Sequence, residues 1–172
     1  LAADPVAPGK LYAVTDSFYN ADPQILTIET AVEPALITAA VTVTRDGEPV
    51  PYLDLEGIVA MADGSFWLAS EGRADAERPH AILHVDATGA VVEEVRIPDE
   101  LAEVAIRYGF EGITATGEGE TLTLWMAVQR EWEDDPEGHV KLVAYTPATG
   151  EWGAVRYPLD DVERGWIGLS EI

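Results

Sequence analysis

The sequence predicts an all-β protein: a β-propeller of four-stranded blades, with about three blades and the start of a fourth. Three observations carry this. Short runs rich in β-branched and aromatic residues are bounded along the whole chain by Asp-Gly, Thr-Gly or Pro signals. The runs come four to a unit. The unit itself recurs: Asp54-Leu55-Glu56-Gly57-Ile58 returns 55 positions later as Gly109-Phe110-Glu111-Gly112-Ile113. It returns more weakly a further 56 positions on as Trp166-Ile167-Gly168-Leu169, with Ile167 in place of the Glu. Four strands in about 40–55 residues, repeated, is the pattern of a propeller blade. A β-sandwich would leave the self-similarity unexplained.

Taken in order, the first unit (about 10–53) shows strands at Lys10 to Asp16, Gln24 to Ile28 and Leu36 to Thr44. The second (54–108) opens on Ile58 to Met61, turns at Ala62-Asp63-Gly64, and continues as Ser65 to Glu71. Its third strand begins at Ile82 and closes in Thr88-Gly89; Val95-Arg96-Ile97-Pro98 ends the unit. The third (109–164) repeats this with Ile113 to Thr116, Leu122 to Gln129, Leu142 to Thr146 and Val155 to Pro158. A helix is expected from Asp99 to Arg107, capped by Asp99, with Leu101, Val104 and Ala105 facing inward. Residues 165–172 read as the opening strand of another blade. At about 55 residues per unit, 172 residues fall short of the roughly four to eight blades that close a propeller. The expected state is therefore a piece of a larger propeller, or one that closes by self-association.

Composition bounds the function. Acids outnumber bases 32 to 10, giving a net charge of −22, so duplex nucleic acid is not an expected partner. No apolar run approaches the roughly 20 residues that cross a bilayer. The absence of cysteine excludes disulfides, thiolate metal sites and a cysteine nucleophile. Most of the acidity reads as solvated surface. The first residue is Leu rather than Met, which fits an exported protein after signal removal.

Several stretches resemble the phytase-like family, also described by an esterase-like activity of phytase. They are Leu11 to Ser17, Asp54 to Ile58, Phe66 to Gly72, Gly109 to Ile113, Ala127 to Trp132 and Gly165 to Ile172. The resemblance implies a bacterial, periplasmic or secreted β-propeller. It also implies hydrolysis of a small phosphoester or ester substrate.

The residues suggest where such chemistry would sit. Glu56 and Glu111 precede a Gly and a first strand; Glu71 and Glu131 end second strands, and Asp16 ends their counterpart. In a propeller, repeat-equivalent residues at one strand end form a ring about the axis. Carboxylates gathered there suit Ca²⁺ or another hard divalent cation. Glu56, Glu111, Asp16 and Asp54 are the candidate metal ligands. Glu56, Glu71, Glu111 and Glu131 are the candidate catalytic groups, for metal-assisted hydrolysis. Arg130 is the candidate phosphate grip and Trp132 a pocket edge. The competing reading is a non-catalytic propeller that binds a small ligand or protein, in which each Glu accepts backbone N–H groups of the next blade and fixes blade packing. Gly57 and Gly112 suit a tight backbone approach. His84, between Leu83 and Val85, reads as a half-buried sheet residue. Gly168-Leu169-Ser170-Glu171-Ile172 lacks the second glycine of a nucleophile elbow.

Overall fold

The computed structural model describes residues 1–17, 21–72 and 78–172. The chain is all-β and built of four-stranded blades: three such sheets, each a meander in sequence order, and one two-stranded hairpin. The first sheet holds β1 (Ala2–Ala3), β2 (Lys10–Val14), β3 (Gln24–Glu29) and β4 (Leu36–Thr42). The second holds β7 (Leu55–Ala60), β8 (Phe66–Ser70), β9 (Ala81–Val85) and β10 (Val91–Arg96). The third holds β11 (Phe110–Thr116), β12 (Thr123–Val128), β13 (His139–Thr146) and β14 (Glu151–Pro158). The hairpin, β5 (Thr44–Arg45) and β6 (Glu48–Pro49), turns on Asp46-Gly47, both at positive φ (54° and 85°), as a tight two-residue hairpin requires.

The contacts divide into two compact units, residues 1–70 with 81–95, and residues 71–80 with 96–172. In the first, Ile25, Val43, Val50, Leu55, Ile58, Phe66, Leu68, Leu83 and Val85 form a single apolar cluster. Burial falls from the middle of each blade outward. All five residues of β8 are buried, whereas seven of the eight in β14 are exposed. In the second unit, His80 stacks against Trp132 at 5.5 Å and lies 5.6 Å from Phe110. Among the described residues no helix is long and apolar enough to cross a membrane.

Three expectations change. An edge strand of the first sheet, β1, comes from the N-terminus, where Ala2 and Ala3 pair with Tyr12 and Leu11. The expected helix contracts to α1 (Asp99–Ala102), with Pro98 rather than Asp99 at the capping position and no buried residue. Beyond it the chain is held by tertiary contacts: Val104 O accepts from Glu133 N at 3.0 Å, and Ile106 O lies 3.1 Å from the His80 ring. Residues 165–172 form no strand; one backbone bond, Leu169 N to Gln129 O at 3.1 Å, is too little for a ladder.

Candidate functional site

The site begins with a bulge. Leu55 pairs with Ser70 and Gly57 with Ala69, so Glu56 is an extra residue in β7. Asp54, just before the strand, is buried; its N–H donates to Ser70 Oγ at 3.3 Å and its Oδ1 accepts from Ser17 N at 3.3 Å. Asp16 follows β2, where Thr15 is held to Gln24 by two hydrogen bonds of 3.1 and 2.9 Å. One carboxylate oxygen each from Asp16, Asp54 and Glu56 lies within 4.8 Å of the others. That separation is the widest that two oxygens about 2.4 Å from one ion can have, so the three can share a cation of calcium's size. Asp54 is buried, Glu56 half-buried and Asp16 exposed, which leaves the cluster open on the Asp16 side. Three carboxylates this close repel one another, and the all-oxygen donor set favours a hard cation over a transition metal.

The repeat-equivalent acids are arranged differently. Glu111 occupies the same bulge in β11, between Phe110 (paired with Val128) and Gly112 (paired with Ala127). It belongs to the other compact unit, and the cluster is formed without it. Where the second repeat has Asp54, the third has Gly109, and Glu71 Oε1 accepts the Gly109 N–H at 2.8 Å. Glu131 Oε1 accepts from Gly138 N at 3.2 Å and faces Arg130 Nε at 4.0 Å. Glu71 thus accepts an amide at the start of the next blade, and Glu131 one in the connection between β12 and β13 of its own blade. Gly112 meets the tight approach expected of it: a Cβ there would lie 2.8 Å from Glu171 Cα.

Arg130 is held by aromatic faces, its guanidinium 4.7 Å from the Trp166 ring centre and 5.4 Å from that of Tyr108. Trp132 is 2% exposed and spends its indole N–H on Tyr108 O at 3.2 Å, so it is a core residue rather than a pocket edge. His84 is half-buried, as expected, and stacks on Trp67 at 4.6 Å. Its Nε2 lies 3.1 Å from Ser65 Oγ, but that hydroxyl donates to Asp63 Oδ1 at 2.7 Å. The ring is thus the donor, with no proton to abstract. The Ser65 hydroxyl and amide hold the Asp63 carboxyl below its ordinary range.

The sequence reading missed a buried cation. Lys141, 3% exposed, reaches Asp134 Oδ1 and Asp135 Oδ1, each at 2.6 Å, and Arg156 closes over both acids. One of only two lysines, set between Val140 and Leu142 in an apolar strand, was the available signal.

His80 is also spent on structure. Its Nδ1 accepts from Gly72 N at 2.8 Å, so Nε2 carries the proton and donates to Ile106 O at 3.1 Å. Burial pushes its pKa below the usual histidine value; the nearby Arg78 charge adds to this, and the Ile106 bond opposes it. The unfolded chain therefore takes up this proton first as pH falls. The stability that neutral His80 contributes is complete above about pH 6.5 and lost as pH drops through the lower folded value. Urea unfolding of the wild type should show stability declining below pH 6.5, with a shallower slope in His80→Gln. Equal slopes would refute the assignment.

Comparison with curated proteins and with solved structures gave no significant match. The family model described as "Phytase-like: Esterase-like activity of phytase" matches residues 1–172, and the chain belongs to that family.

Proposed function

We propose that the protein is a divalent-cation-dependent hydrolase of small phosphoester or ester substrates, with the cation held by Asp16, Asp54 and Glu56. The observation that carries this reading is the convergence of those three carboxylates from two different blades. Membership in a family described by an esterase-like activity supports it. A bound divalent cation supplies Lewis acidity toward a phosphoryl or acyl oxygen. Asp54, fixed by Ser17 and Ser70, anchors the site. In this reading half-buried Glu56 takes a proton from an attacking water, and substrate enters on the side of exposed Asp16.

The second reading is a binding propeller without turnover. The amide contact of Glu71 with the next blade favours it for that residue.

Calorimetric titration with Ca²⁺ and Mn²⁺ should show one site per chain. At about 100 times Kd, a ligand that binds only the folded state adds about 2.7 kcal/mol. For a chain of this size that raises Tm by about 5–10 °C. Asp54→Asn should abolish both signals. Hydrolysis of p-nitrophenyl phosphate or acetate should disappear with EDTA and in Glu56→Gln. Cation binding without turnover would support the binding reading, and no binding heat together with no thermal shift would remove the cation site.

A further inference from the structure

We propose that Arg130, Tyr108 and Trp166 form a binding site for a small anion that carries one carboxylate or phosphate group on a flat ring. All three lie in the unit comprising residues 71–80 and 96–172, in connections that the fold ties together. Tyr108 precedes β11 and Arg130 follows β12; between them, Gln129 N donates to the Gly109 carbonyl at 2.8 Å. Trp166 comes from the stretch after β14, which Leu169 N anchors to Gln129 O at 3.1 Å. The guanidinium sits 4.7 Å from the Trp166 ring centre and 5.4 Å from that of Tyr108, and the two rings lie 6.4 Å apart.

What these side chains leave unspent defines the ligand. Among the described residues the acid paired with Arg130 is Glu131, 4.0 Å from Nε, and no hydrogen bond engages either terminal nitrogen of the guanidinium. Glu131 gives its other oxygen to Gly138 N at 3.2 Å. The cation lies over the two rings without spending its N–H donors, which stay available for two parallel bonds to a carboxylate or phosphate. Arg107, exposed and 5.9 Å from the centre of the same Tyr108 ring, adds positive charge and has no ion pair among the described residues. Trp166 is 57% exposed, the one tryptophan of five in that class, and Tyr108 is exposed as well. An exposed indole beside an unspent guanidinium offers a flat ring a stacking face and its oxyanion a grip. The parts are held in place before any ligand arrives. The Tyr108 carbonyl accepts the Trp132 indole N–H at 3.2 Å, and Gly168 packs so closely that a Cβ there would lie 2.9 Å from both Gln129 O and the Trp166 ring. The −22 net charge disfavours a polyanion. This inference is independent of the cation cluster, which belongs to the other unit.

The test is titration of the full chain with benzoate, phenyl phosphate, acetate, inorganic phosphate and benzyl alcohol at fixed ionic strength, followed by calorimetry and by tryptophan fluorescence. Saturable one-to-one binding with a change in tryptophan emission is expected for benzoate or phenyl phosphate, the tighter of the two identifying the preferred oxyanion. Acetate and inorganic phosphate lack the ring and should bind more weakly than their ring-bearing counterparts. Benzyl alcohol lacks the charge and should not bind. Arg130→Gln should weaken binding about 10-fold or more. Trp166→Ala, at an exposed position, should weaken it about 5-fold and abolish the emission change. Arg45→Gln, an equal change of charge at an exposed residue of the other unit, should leave affinity unchanged. No saturable binding of either ring-bearing anion, wild-type affinity in Arg130→Gln or Trp166→Ala, or benzyl alcohol binding as tightly as benzoate would overturn the proposal. An equal loss in Arg45→Gln would show a general charge effect and overturn it as well.

Discussion

Lys141→Met is expected to lower the unfolding free energy by about 3–5 kcal/mol, the usual cost of leaving a buried charge without its partner. The Lys141 side chain is 4% exposed and that of Asp135 is fully buried, with 2.6 Å between Nζ and Oδ1. Asp134, on the rim, takes the second 2.6 Å contact. Arg156 approaches Asp135 at 3.2 Å and Asp134 at 3.1 Å from the solvent side, which moves the expectation toward the lower end of the range. At about 2–4 °C per kcal/mol for a chain of this size, Tm should fall by about 6–20 °C. Adding Asp135→Asn should recover a large part of the loss, because the stranded charge goes with it. Acid unfolding gives an independent readout. Burial raises the Asp134 pKa, but the hydrogen bond and charge of Lys141, helped by Arg156, outweigh it and hold the carboxyl below its ordinary value. Its contribution is present above about pH 4 and is lost as pH falls through the depressed folded value. That acid step should shrink in Lys141→Met. A urea midpoint within error of the wild type would show that Lys141 is not the keystone of this loop.

Gly109→Ala is expected to cost about 3 kcal/mol or more, at the upper end for overpacking, although one methyl group is added. The new Cβ would fall on the His80 imidazole. Neither side can yield cheaply. Gly109 is held on both backbone groups, its N–H by Glu71 at 2.8 Å and its carbonyl by Gln129 N at 2.8 Å. His80 is pinned by Gly72 and Ile106 and packed against Phe110 and Trp132. Gly138→Ala is the control. Nothing lies within 4 Å of a Cβ there and only the positive φ of 72° opposes it, so about 1 kcal/mol is expected. Equal losses for the two variants in chemical denaturation would mean that His80 moves aside.

The blade pattern was legible because turn chemistry and strand patterning repeat at the same interval. Asp63-Gly64 and Thr88-Gly89 flank runs that do become β8 and β9. The short extent of the helix after Pro98 was not, because the residues beyond Ala102 are held by partners distant in sequence, Glu133 for the Val104 carbonyl and His80 for that of Ile106. The acids were legible as positions and less so as roles. Asp16 and Glu71 each end a second strand. Asp16 meets Asp54 and Glu56, whereas Glu71 meets the bare amide of Gly109. The residue opposite decides between a carboxylate cluster and an amide clasp, and only the fold brings it there. The place of Trp132 after Arg130-Glu131 suggests a pocket edge, but neighbours in sequence do not report burial.

The bulges at Glu56 and Glu111 have a consequence for how this chain can change length. Leu55 and Ile58 stand three residues apart, a spacing that puts side chains on opposite faces of a regular strand, yet both belong to one core cluster. Phe110 and Ile113, at the same spacing, are both buried. The extra residue resets the alternation partway along each strand, like a spacer restoring a reading frame. Deleting it would turn one end of the strand inside out, and inserting another residue would do the same. Length variation is thus expected in exposed connections such as 31–35, between β3 and β4, while β7 and β11 stay locked in frame.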